Sequence, residues 1–315
     1  MIDICRYTVQ DKDLWDDFNR QSRNSLFMFD RNYMDYHSER FKDHSLMFYD
    51  EGKLIAIMAM NESNNYLASH GGLTYGGLIL SNDAKQNKII ECFSRLIDYA
   101  KRAEFDYIIY KTIPHFYHRN PAEDDRYALF LKGAELMKVE ASTLLNLRAP
   151  LKMPKGRKAQ IARASREGVV VKEYKTKEAF EVFIELENRV LEKHHNTKAV
   201  HTAEELYLLY SRFPENIHLF CAELNSEIIA GSVIYEYENV IHTQYMAADD
   251  TARRIGALDF VINTIINKYI NTKNWLDFGI STEDGGKTLN TGLISQKEGF
   301  GGRTSVYTTW RLQIN

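Results

Sequence analysis

The residues 249–257, Asp-Asp-Thr-Ala-Arg-Arg-Ile-Gly-Ala, open an amphipathic helix. At such a point free backbone N–H groups and the positive helix end favour a pyrophosphate, and Arg253 and Arg254 add charge; Ile255, Gly256 and Ala257 complete the cradle. The plain alternative is an ordinary helix start with two solvated arginines. Asp277 stands in an otherwise apolar strand, Trp-Leu-Asp-Phe-Gly-Ile over 275–280. A carboxylate there is either paired or raised in pKa by desolvation, and a raised pKa suits removal of a proton from an ammonium. It can equally face solvent or cap a loop. On the strand ahead of the phosphate loop, alternation puts His242 and Gln244 on one face and Tyr245 on the other, so either face can meet substrate. Tyr245 can protonate a leaving thiolate, although with 19 tyrosines in the chain a structural role is the default for any one of them.

Two further segments carry unusual chemistry. Residues 114–125 pack aromatic, imidazole and carboxylate groups together. His115 and His118 with Glu123 or Asp125 are too loosely spaced for a metal, so no metal is expected, and Tyr117 and His118 are expected to wall an acceptor pocket. Arg157, Lys158, Arg163 and Arg166 share a helical period. They suit a phosphorylated acceptor such as a nucleotide sugar, or a tRNA acceptor stem held by charge alone, or they form a solvated face. The net charge of -3 speaks against extended nucleic-acid contact and against DNA, leaving Arg157 as a candidate for a small anionic ligand. His194 and His195 read as solvated surface at a helix end.

The elements that must position these groups repeat. A hairpin at 46–60 turns through Asp-Glu-Gly-Lys, and a second at 219–235 turns through Leu-Asn-Ser-Glu. Each leads to an amphipathic helix, with Ile89, Cys92, Phe93, Leu96, Ile97 and Ala100 on one apolar stripe and Leu258, Val261, Ile262, Ile265, Ile266 and Tyr269 on the other. Each helix leads to a short apolar strand, 107–110 and 275–278, in the order of a right-handed crossover. Lys132 precedes Leu147 by 15 positions, as Lys297 precedes Leu312, so 143–147 and 308–312 read as equivalent closing strands. Duplication explains this spacing better than coincidence. The Pro-rich, basic stretch 148–156 separates the copies near residue 150. The three cysteines form no paired motif, no run is long enough to span a bilayer, and the start lacks a signal segment. The expectation is a cytoplasmic protein without membrane insertion.

Antiparallel strands feeding a helix and a parallel strand resemble the GNAT acyltransferase fold. The tandem arrangement, the segment 156–171 and the ending 292–302, where a Lys shortly precedes Phe-Gly, look like the FemAB-type pattern. The resemblance implies an α/β (α+β) chain of two tandem GNAT-like domains, each a mixed, mostly antiparallel sheet flanked by helices. Domain 1–150 would shape the acceptor side, and domain 151–315 would bind the donor and carry catalysis. It also implies that Lys297 supports the developing negative charge of the reacting carbonyl. Peptidoglycan-directed members have an Asp-Pro pair where this chain reads Lys111-Thr112-Ile113-Pro114. They have an Arg-Gly-Pro turn where it reads Tyr75-Gly76-Gly77-Leu78; both departures bear on the acceptor, and Tyr75 is a candidate substrate contact. There is no room for the coiled-coil arm of some members.

The implied activity is transfer of an acyl group from acyl-coenzyme A, acetyl-coenzyme A first, to a small-molecule amine such as an amino sugar or cell-envelope precursor. The alternatives are an aminoacyl-tRNA-dependent, FemX-type ligase acting on a peptidoglycan precursor, and a non-catalytic binding module on a decayed tandem fold.

Overall fold

The computed structural model describes residues 1–314, apart from the side chains of His194 and His195. The chain divides into two compact units. One comprises 1–141, 282–288 and 306–315, and the other 142–281 and 289–305. These depart from a cut near residue 150 at both ends. The closing segment 142–147 counts with the second unit, where Leu145 and Leu147 join the core, while Leu312 and Ile314 join the core of the first. Pairing explains this: Leu144 to Asn146 lie antiparallel to Trp275 to Asp277, and Thr309 to Gln313 lie antiparallel to Tyr107 to Lys111.

In the second unit the strands Val170–Tyr174, Ile217–Leu224, Glu227–Glu236 and Val240–Ala248 run antiparallel in that order. Trp275–Ile280 then pairs parallel to Val240–Ala248 after the crossover helix Ala257–Tyr269. That helix buries Val261, Ile262, Ile265 and Ile266, each worth roughly 1.5–3 kcal/mol when fully removed from water. Helices Lys177–His195 and Ala203–Arg212 pack beside the sheet, and Lys155–Arg166 packs on the crossover helix.

The first unit repeats the hairpin down to an irregularity. Leu46–Asp50 and Lys53–Met58 pair with a one-residue shift just after Phe48↔Ala56, and Ile217–Leu224 and Glu227–Glu236 shift just after Ala222↔Ala230. A shared bulge at the same place supports equivalence beyond a shared fold class. The next strand differs. Where the second unit has one strand, the first has Tyr66–Ala68, parallel to Tyr107–Lys111, and Leu78–Leu80, antiparallel to Lys53–Met58. The intervening residues 69–77 are tied down by Lys111, whose Nζ donates to the carbonyls of His70 (3.2 Å), Gly71 (3.3 Å) and Leu73 (2.6 Å). Burial lowers that lysine's pKa to about 8. Among the described residues no helix is long and apolar enough to cross a membrane.

Candidate functional site

In the second unit the parallel ladder is short. It joins Val240, Ile241 and His242 to Trp275, Leu276 and Asp277, and ends there. One residue later Val240–Ala248 bulges: Ile234 pairs with Thr243 and Val233 with Tyr245, which leaves Gln244 without a place in the ladder. Beyond His242 and Asp277 the two strands therefore part, and a bulge of this kind re-aims side chains where a strand leaves its neighbour.

Asp277 anchors the other edge of the gap. It is fully buried. Its Oδ1 accepts from Ser142 Oγ (2.6 Å) and from the Gly279 N–H (3.1 Å), and its Oδ2 lies 3.1 Å from Nδ1 of the buried His242. The carboxylate is thus committed to holding the turn at Gly279, whose φ of 71° suits a residue without Cβ. That turn presents the carbonyls of Gly279 and Ile280, and both accept from Lys297 Nζ, at 2.9 and 2.7 Å.

Lys297, on helix Thr291–Glu298, is 3% exposed, so it is no surface lysine. Burial lowers its pKa to about 8, against the opposing pull of Asp277. An ammonium has three donors. Two are used here, on the Gly279 and Ile280 carbonyls.

Several residues singled out from sequence have different surroundings. The bulge breaks the strict alternation of His242, Gln244 and Tyr245, because Gln244 is the extra residue between the paired Thr243 and Tyr245. The Tyr245 hydroxyl lies 2.7 Å from His201 Nδ1, and its pKa is pushed up to about 12, chiefly by burial. Tyr75, expected as a substrate contact, and Tyr117, expected in the acceptor wall, are both buried. They are 1% and 2% exposed, and the Tyr75 hydroxyl bonds to those of Tyr117 (2.6 Å) and Tyr307 (3.0 Å). Three hydroxyls that satisfy one another can be buried cheaply. His118 is half-buried, and burial lowers its pKa to about 4, keeping it neutral.

The loop at 249–257 is not an open cradle. Arg253 and Arg254 are exposed, but Ile255, Gly256 and Ala257 are buried. Residues 250–255 form a short helix of their own, and a Cβ at Gly256 would lie 2.6 Å from the Gln160 carbonyl oxygen. In the first turn of the crossover helix, Asp259 already pairs with Arg157, which also donates to the Gln296 carbonyl (2.9 Å) and lies over the Phe300 ring. An acid already at that helix start weakens its pull on a second anion, and Arg157 is spent on it.

Sequence reading missed Ser142, Gly279, Asp259, His201 and Glu187. Only Glu187 left a clear signal: with Phe180, Phe183 and Ile184 it falls on one apolar stripe of Lys177–His195. Among the described residues no cluster of three or more His, Cys, Asp or Glu could hold a metal.

Residues 155–284 match the family model Acetyltransferase (GNAT) domain. No curated protein matches the chain. Among solved structures, the crystal structure of FemX superposes with a TM-score of 0.70 at 11% identity, covering 99% of this chain and 98% of that one. The C-terminal domain of a putative lysylphosphatidylglycerol synthetase from Agrobacterium fabrum gives 0.63 at 12%, covering 97% and 92%. A tandem GNAT protein from the clavulanic acid biosynthesis pathway gives 0.55 at 8%, covering 100% and 99%. At these identities the likeness is one of fold.

Proposed function

From a chain with a FemAB-like fold of the GNAT superfamily, an acyltransferase fold, we propose transfer of an aminoacyl group from a carrier ester to an amine of a cell-envelope precursor. The observation that carries this is Lys297, a buried cation with one N–H to spare beside a gap between strands. A carbonyl seated against it gains most as its oxygen becomes negative, since the charge is stabilised in a dry setting without reorganisation. The amine lone pair forms the C–N bond, the ester C–O bond breaks, and the leaving oxygen takes a proton from the former ammonium.

The choice of donor rests on the covered start of the crossover helix. Coenzyme A would need its pyrophosphate on N–H groups that Asp259, Arg157 and the Lys155–Arg166 helix crowd. A carrier ester needs only its reacting end in the gap. Acyl-coenzyme A remains the second reading, favoured by the exposed Arg253 and Arg254 beside that helix start.

The test offers the purified chain labelled acetyl-coenzyme A and a pool of charged tRNA, each with amine-bearing envelope precursors. Transfer from the tRNA pool alone, with no calorimetric coenzyme A binding, is expected. Turnover of acetyl-coenzyme A that weakens in Arg253→Ala/Arg254→Ala would overturn the donor assignment. No transfer from either donor would overturn the activity.

A further inference from the structure

On the other side of Val240–Ala248 from the crossover helix lies a group that the scheme above does not use. Helix Lys177–His195 packs against this strand and its neighbour Glu227–Glu236. Its buried stripe runs Phe180, Phe183, Ile184 and then Glu187, which is only 6% exposed. Glu187 Oε2 has no hydrogen-bond partner. A buried carboxylate oxygen without a donor is uncommon and costly, so one beside a bulged strand calls for an explanation.

The neighbouring Asn188 accepts through Oδ1 from the Ala199 N–H (2.9 Å), and His201, two residues on, has its Nδ1 2.7 Å from the Tyr245 hydroxyl, which brings this turn of the helix toward Tyr245. The Glu187 charge is among the causes that raise the Tyr245 hydroxyl. The titratable groups on this side include Tyr245 and His242, which share a face of the strand, and His201 on the connection to the next helix. Burial alone raises the Glu187 carboxyl to about 7.

We propose that Glu187, with Tyr245 beside it, receives the ammonium of the acceptor and takes its first proton. This deepens the amine-acylation reading and rests on it. An ammonium brings the N–H donor that Glu187 Oε2 lacks. Transfer of one proton to Glu187 frees the lone pair that attacks the carbonyl, and Glu187 returns that proton to water after the product leaves. Gln244 and Tyr245 follow His242, the last residue paired with Trp275–Ile280, so an amine held there lies past the end of the ladder, toward the Gly279 and Ile280 carbonyls that hold Lys297.

Glu187→Gln keeps the shape and removes the base. With the donor that the wild type uses, kcat/KM for the acceptor should fall by a hundredfold or more. The rise of rate with pH near 7 should vanish, and donor KM should hold. Glu187→Asp should keep part of the rise. Without any substrate, isotope-edited infrared spectra of the wild type should show a protonated glutamic acid that ionises near pH 7 and is missing in Glu187→Gln. A wild-type rate and pH profile in Glu187→Gln, or no such band, would overturn this role while leaving amine acylation standing. A wild type that acylates nothing would bring down both.

Discussion

At the residue scale, Lys297 is the group on which charge, burial and geometry converge. Lys297→Met removes the cation at similar volume, and kcat should fall by on the order of a hundredfold with little change in donor affinity. Steady-state kinetics check this. Its stability effect has a definite sign. The folded pKa of about 8 lies below the ordinary 10.5, so between those values the folded chain binds fewer protons than the unfolded one, and stability rises with pH. The variant lacks that rise. From pH 8 to 10.5, urea unfolding should move in favour of wild type over Lys297→Met by up to about 3 kcal/mol. Glu187 works in the opposite sense. Its raised pKa makes the folded state lose stability from roughly pH 4.5 to 7, so Glu187→Gln should gain on wild type across that window. In activity the two limbs meet: kcat/KM should rise as Glu187 ionises near 7 and fall as Lys297 deprotonates near 8, giving a narrow bell.

At the scale of elements, Asp277 is, in the proposed scheme, a positioning residue rather than a base. Its oxygens are engaged by Ser142, Gly279 and His242. They hold the turn whose carbonyls orient Lys297. Gly279→Ala forces a side chain onto a φ of 71° and puts a Cβ 3.3 Å from His242 Cε1, a strain of about 1–2 kcal/mol. Thermal unfolding should register that loss. Because the carbonyls move with the turn, kcat should also drop, while the alkaline limb set by Lys297 should shift toward higher pH as the lysine is less tightly enclosed. An unchanged limb would mean that the turn does not govern the lysine.

At the scale of the molecule, the first unit is completed by a segment from the far part of the chain. A fragment of residues 1–150 lacks residues 306–314, whose strand pairs with Tyr107–Lys111 and whose Leu312 and Ile314 fill the core of the first unit. It also leaves its own residues 142–147 without their partner strand. Two-dimensional NMR of that fragment should show a poorly dispersed, aggregation-prone chain. Adding residues 306–314 back as a covalently linked strand should restore dispersion.

Periodicity and spacing alone determined the element order, the paired hairpins and crossover helices, and the equivalence of the closing strands, because these depend on local patterns of two and 3.6 residues. The role proposed for Lys297 came through family resemblance, and its burial came only from the fold. Which closing strand completes which core is set by long-range pairing, and no local pattern carries that. The gap beyond His242 arises from one unpaired residue, Gln244, which alternation read as ordinary strand. Tyr117 read as part of a binding wall and Tyr75 as a substrate contact because their types suit that, yet tertiary packing buries both and joins the Tyr75 hydroxyl to those of Tyr117 and Tyr307. The loop at 249–257 had the charge for a phosphate, but the helix that covers Gly256 lies about a hundred residues earlier in the chain. Sequence specifies which groups are available near one another along the chain. Whether a charge is open to a ligand or already satisfied is decided by what folds against it.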